Sequence, residues 1–171
     1  SGLAVSRNNT NVLWVHNDSG DSPRIYALSS QGELLATCNL VGASAIDWED
    51  MAIGPGPTHG QDYIYIGDTG DNARIRSSVT VYRVAEPLVN ASQDPVTLSL
   101  NDVDAFPMQY PGKVYDSEAL LVDPVSGDIF LVTRDRERVG AAYVYRNPSP
   151  HTPGVVVTLE LVATIPLPLE V

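Results

Sequence analysis

The chain is short of several residue types at once. Its 171 residues include one cysteine, two methionines, two phenylalanines, two tryptophans and three histidines. A single cysteine, Cys38, forms no internal disulfide and supplies no thiolate cluster for zinc. No apolar run approaches the roughly 18 residues that a membrane helix needs, so no membrane span is expected. Cations are scarce too: ten Lys plus Arg stand against 21 Asp plus Glu, a net charge of −11. That field repels phosphate backbones, which argues against a nucleic-acid partner. There is no initiator Met and no signal peptide; the chain starts at Ser1 and reads as a processed or trimmed protein. Also missing are a Gly-x-Ser-x-Gly elbow, a Walker loop, a Rossmann fingerprint and a His-Glu-x-x-His pair.

What is present points to a folded β-protein. Hydrophobic residues make up 43% and charged residues 18%, which excludes a disordered chain and a coiled coil. Segments rich in Val, Ile, Leu and Tyr recur between clusters of Gly, Pro, Asn and Asp. The clearest are 11–15, 24–28, 62–66, 79–84, 128–132 and 141–145. Thirteen glycines and thirteen prolines, spread along the chain, leave no stretch for a long helix.

These segments repeat. Ser1-Gly-Leu-Ala-Val-Ser aligns with Glu49-Asp-Met-Ala-Ile-Gly and with Glu118-Ala-Leu-Leu-Val-Asp. The strands that follow end at Asp18, Asp68 and Asp135, and the next ones carry Tyr26, Tyr82 and Tyr145. A fourth strand is predicted to close each unit, at 33–40, 96–101 and 155–162. The reading is all-β: a β-propeller of four-stranded antiparallel blades, three in this chain, at about 1–42, 43–110 and 111–171. Propellers close with roughly four to eight blades. Three blades therefore predict half of a six-bladed ring, completed by a second copy in a homodimer.

The ordered segments Trp14–Asp21, Asp47–Asp50 and Gly67–Asn72, with Asp116-Ser-Glu-Ala-Leu120, resemble a family of secreted, bacterial-type β-propeller proteins. Members of that family look like complete rings of about twice this length; this chain departs from them by stopping after three blades. Acidic loops and architecture give a looser likeness to the gluconolactonase and propeller-phytase groups, six-bladed hydrolases that contain calcium. The resemblance implies a secreted protein. Sequons at Asn8, Asn17 and Asn90 suit a glycosylated extracellular chain.

In a propeller, the loops leading into the first strand of each blade share a face with the loops joining strands two and three. Here the former carry Asp47, Glu49, Asp50, Asp116 and Glu118, the latter Asp18, Asp21, Asp68, Asp71, Asn72 and Asp135. Such crowding is relieved by cations, and oxygen ligands of this kind select calcium. Glu49 and Glu118 are the first metal candidates, with Asp68, Asp71 and Asn72 as a second set. Asp18, Asp21, Asp47, Asp50, Asp116 and Asp135 form the ligand-binding rim. A structural reading stands beside this one: the loop aspartates can bind their own backbone in Asx turns. Glu49 and Glu118 can likewise pair with Arg134, Arg136 or Arg138.

Other residues divide similarly. His16 borders the rim and is the one histidine placed to act as general base; a structural hydrogen bond is the alternative. His59 and His151 read as solvent-exposed. Trp14, Trp48 and Cys38 read as core. Two functions survive. One is an extracellular, calcium-stabilised binding or scaffold propeller whose ligand is a small molecule, glycan or protein. The other is a calcium-dependent hydrolase of lactonase or phosphoesterase type. The second is disfavoured for phosphate substrates, because few basic residues neighbour the rim in sequence.

Overall fold

The computed structural model describes residues 1–135 and 139–168, and among these there is no helix. Fourteen strands follow one another along the chain. They are β1 Leu3–Val5, β2 Val12–Val15, β3 Arg24–Ser29, β4 Leu34–Leu40, β5 Trp48–Pro55, β6 Asp62–Asp68 and β7 Val79–Ala85. The rest are β8 Val96–Leu100, β9 Asp104–Gln109, β10 Ser117–Val122, β11 Ile129–Thr133, β12 Ala141–Asn147, β13 Val157–Thr158 and β14 Glu160–Pro166. All six of the clearest sequence-predicted strands are there.

The strands form three sheets, in the orders β1-β2-β3-β4-β8, β13-β9-β7-β6-β5 and β10-β11-β12-β14. The sheets stack face to face in chain order, β1 touching β5 and β5 touching β10. This is a propeller-like, all-β arrangement.

Position in the stack explains the strand patterns. The middle sheet is covered on both faces, so β6 is buried almost throughout, from Tyr63 to Asp68. In the first sheet, β2 alternates instead: Val12 and Trp14 are buried, Leu13 and Val15 half-buried. One core lies between the first and second sheets, around Trp14, Ile25, Trp48, Ile64, Ile66 and Tyr82. The other, between the second and third, gathers Tyr63, Tyr65, Phe106, Leu120, Leu131 and Tyr145. Tyr26, Tyr82 and Tyr145 do hold one place in the repeat, each opposite a matching residue of the preceding strand: Val15, Ile66 and Leu131. Tyr82 and Tyr145 are buried, whereas Tyr26 lies on the uncovered face of the first sheet.

The predicted closing strands need correction. The 33–40 segment closes the first sheet as expected. The 96–101 segment does not close the second: β8 runs parallel to β4 and belongs to the first sheet. The second is closed by β9, which pairs with β7 through Pro107 opposite Thr80. A proline inside a run argues against a strand, because it donates no ladder bond, and this hid β9 in the sequence. The 155–162 segment splits at Leu159. Its first part, β13, runs parallel to β9 in the second sheet, while β14 closes the third. Twice, then, the connection from third to fourth strand lays a fifth strand on the sheet before it. In the first sheet the same connection is only a turn at Ser29–Glu33, with Gly32 at φ 86°.

Buried polar groups hold the sheets together. Glu86, 4% exposed, follows β7 and reaches into the first sheet. Its carboxylate accepts from Trp14 Nε1 at 2.7 Å, Ser6 Oγ at 2.5 Å and the Asn8 amide at 3.1 Å. Asp50 Oδ2 accepts the Leu120 amide at 2.9 Å, and Asp116 Oδ1 the Asp71 amide at 2.8 Å, across the second boundary. Removing the Glu86 acceptor strands three donors, one of them fully buried. Glu86→Ala is expected to lower stability by about 3 kcal/mol, read by urea unfolding with tryptophan fluorescence; Ser6→Ala should cost under about 1 kcal/mol.

Candidate metal centre

The site is built by a repeated irregularity in β5 and β10, end strands of the second and third sheets. In β5, Trp48 pairs with Asp68 and Asp50 with Gly67, leaving Glu49 as an extra, bulged residue. In β10, Ser117 pairs with Thr133 and Ala119 with Val132, leaving Glu118 as the extra one. A bulge re-aims the side chain it frees. Both glutamates are thus turned toward one rim, from within strands rather than from the loops expected to carry them.

Ligand oxygens of Asp18, Asp47 and Glu49 lie within 4.8 Å of one another, and so do those of Glu49, Asp116 and Glu118. Glu49 belongs to both groups. It is 8% exposed, and among the described residues it has no hydrogen bond or ion pair. Gly70 makes room for it: a Cβ there would overlap the Glu49 and Asp47 carboxylates. The neighbours differ in how they are held. Asp47 accepts from Asn72 Nδ2 at 3.2 Å, Asp116 accepts the Asp71 amide, and Glu118 meets Arg134 Nη1 at 2.7 Å. The pairing of Glu118 with Arg134 is one of those expected; Arg136 and Arg138 lie outside the described residues.

Burial pushes the Glu49 carboxyl up to about 7 from 4.5, with Glu118, Asp18 and Asp47 adding repulsion. Asp47 is raised as well, by burial and then by Asp18 and Asp116. Asp18 is lowered instead, because the Ser19 amide donates to it at 2.6 Å.

The other sequence-predicted site residues serve the scaffold. Asp68 accepts the Ile46 and Asp47 amides and pairs with Arg76 at 2.9 Å. Asp71 accepts the Ile75 and Arg76 amides, and Asp135 the Val139 and Gly140 amides, each four and five residues on. Asp135 therefore corresponds to Asp71. The sequence matching with Asp68 is displaced, for the register sets Asp68 beside Thr133 and Asn17. Asp21 binds Arg24, Tyr26 and Asn17, while Asp50 bridges to β10. Among the described residues, neither Asp68 nor Asp71 joins a group of three acidic side chains.

His16 is turned inward. It is 3% exposed, stacks edge-on with Trp48 at 5.4 Å, and its Nδ1 lies 2.7 Å from the Asn17 carbonyl oxygen. Burial lowers its pKa. His151 is not solvent-exposed as expected: it packs on Phe106 at 5.3 Å and burial lowers it too. Cys38 is buried with its thiol pushed up to about 11, an unreactive core residue.

One feature escaped the sequence. Arg74, Lys113 and Arg134 line a single shallow pocket that borders Asp116. The shortage of cations near the rim holds only along the chain, since folding brings these three together.

The shift on Glu49 has a sign that can be measured. Between about pH 4.5 and 7 the folded chain keeps a proton on Glu49 that the unfolded chain releases, so this contribution to stability falls as pH rises. His16 and His151 act oppositely, costing stability as pH falls below 6.5. The comparison of wild type with Glu49→Gln isolates the glutamate. Without calcium, the melting-temperature advantage of the variant should grow from pH 4.5 to 7; a constant difference would contradict the crowding. Compared with family models, curated proteins and solved structures, the chain matches none, so a functional reading rests on the residues of the rim themselves.

Proposed function

We propose that the chain forms three consecutive blades of a six-bladed β-propeller, and that its carboxylate rim holds a calcium ion with which it binds an oxygen-rich ligand outside the cell. The observation that carries this reading is Glu49: a nearly buried carboxylate, without a partner among the described residues, between two pairs of further carboxylates. An ion there would turn mutual repulsion into shared attraction. Calcium suits an irregular, all-oxygen cluster because it accepts six to eight ligands in flexible geometry. Binding is favoured over hydrolysis, since the histidine nearest the rim is packed into the core. Exposed Asn8, Asn17 and Asn90 support an extracellular setting.

The uncovered faces at the two ends of the stack support ring closure. Leu3 and Val5 on the first sheet are 58% and 67% exposed, and Leu121 on the third is 52% exposed. A second copy would bury both faces through two equivalent contacts. In solution the assembly should then have about twice the 18.4 kDa chain mass; a monomer with a cooperative melt would remove the dimer.

Calcium should raise the melting temperature and EDTA should reverse the rise; at 100 times Kd the gain is about 2.7 kcal/mol. Glu49→Gln should abolish the response while stabilising the calcium-free protein at pH 7.5. An unchanged melting temperature with calcium would take the metal out of the reading.

A further inference from the structure

The first two sheets each carry one strand more than a four-stranded unit, and both added strands are placed alike. β8 runs parallel to β4 on the first sheet, and β13 runs parallel to β9 on the second. Their residues match as well. Val-Thr-Leu occurs twice in the sequence, at 96–98 and at 157–159, and both copies lie in these added segments. Leu159 continues the line of β13, its amide donating to the Gln109 carbonyl at 2.9 Å. Leu98 packs against the core between the first and second sheets, and Leu159 is buried in the core between the second and third. The threonine of each copy is exposed.

Among the described residues, the third sheet has no such strand. β14 is its outermost member, paired with β12 alone, and all seven residues Glu160–Pro166 are exposed. An edge of this kind presents unpaired N–H and C=O groups, which proteins ordinarily blunt with charge or proline. Here Glu160 and Pro166 stand only at the ends; Leu161-Val-Ala-Thr-Ile165 between them carries neither. The bulge at Val162 does not close the edge, since β4 has one at Leu35 and still takes β8. The outward donor can be named. The Leu167 amide donates to the Gly140 carbonyl at 2.8 Å, next to the opposed pair Ala141 and Pro166. Residues bonded toward a partner alternate with residues facing away, so Ile165 bonds toward β12 and the Thr164 amide faces outward. In the first two sheets the added leucine enters the core on the side of the following sheet. On the third sheet that side is the face of Leu121, which is 52% exposed.

We propose that the free edge of β14 docks an extended segment of a partner protein, which joins the third sheet as a parallel strand. Its chemistry is that of the two internal examples: an uncharged Val-Thr-Leu type of segment, apolar and small polar residues alternating. The junction continues one that the chain already makes twice within itself. A second copy closing the ring does not fill the edge. The sheet it brings beside the third is its first, where the corresponding connection is only the turn at Ser29–Glu33. Neither the metal nor its ligand takes part in this docking.

The experiment is titration of the full chain with a fluorescein-labelled peptide of the sequence of residues 95–101, read by fluorescence anisotropy. The peptide should bind saturably, and a scrambled version at least about tenfold more weakly. Two backbone-methylated peptides separate strand pairing from side-chain adhesion, one methylated on the amides of residues 96, 98 and 100, the other on those of 97 and 99. Alternate amides of a strand face its neighbour, so one of the two should bind like the parent and the other at least about tenfold more weakly. Equal binding of both would overturn strand addition. Thr164→Pro removes the outward donor and spares the bonds to β12; it should weaken the peptide severalfold with little change in melting temperature. Hydrogen exchange on the unaltered chain fixes the place, because the Thr164 amide should slow when peptide is added. Protection at β4 or β9 instead, or no saturable binding, would overturn the proposal.

Discussion

Buried carboxylates that accept hydrogen bonds across a sheet boundary are the interaction on which the rest of this structure depends. Hydrophobic contact presses the sheets together but sets no register, being indifferent to small slides. Glu86 on one side of the middle sheet, and Asp50 and Asp116 on the other, remove that freedom. Each of these bonds forms only when its donor in the adjacent sheet sits opposite the carboxylate. Glu86 and Asp116 are buried and Asp50 is half-buried, so a misplaced sheet would leave acceptors there without donors.

Fixed register has a cost at the rim. Two bulges deliver Glu49 and Glu118 toward the same place, where Asp18, Asp47 and Asp116 already stand. The scaffold carboxylates escape mutual repulsion through amides and arginines; among the described residues Glu49 has neither. An all-β fold that satisfies its other buried acids so thoroughly, with Asp68 and Asp71 bound to backbone on every side, leaves Glu49 conspicuous. Local conflict of this kind, in an otherwise consistent structure, is the observation on which the proposed metal site rests.

Much of the architecture was legible in the residues, and the failures have identifiable causes. Segments rich in Val, Ile, Leu and Tyr between turn residues located the strands of the hairpins, because each pairs with its neighbour in sequence. The matching of Glu49 to Glu118 also survived, since both lie at the same bulge. Long-range pairing was invisible: nothing local distinguishes β8, which leaves for the first sheet, from a strand closing the second. Pro107 concealed β9. Aspartates that cap loops and aspartates that could ligate a cation look alike as letters, so the scaffold bonds of Asp21, Asp50, Asp68, Asp71 and Asp135 emerge only on folding. Conversely Arg74, Lys113 and Arg134 are far apart along the chain, and only the stacking of the sheets makes them neighbours.

The parallel strands β8 and β13 mean that the spatial sheet and the stretch of chain that encodes it are different objects. A cut placed anywhere between two sheets takes a strand away from the sheet left behind. The first sheet is finished only after residues 96–100 have been made, well after the second has begun. The first and second sheets are each latched by a strand from the stretch of chain that follows. A segment duplicated or transplanted in this architecture would have to be offset from the visible sheet boundaries to carry its own latch.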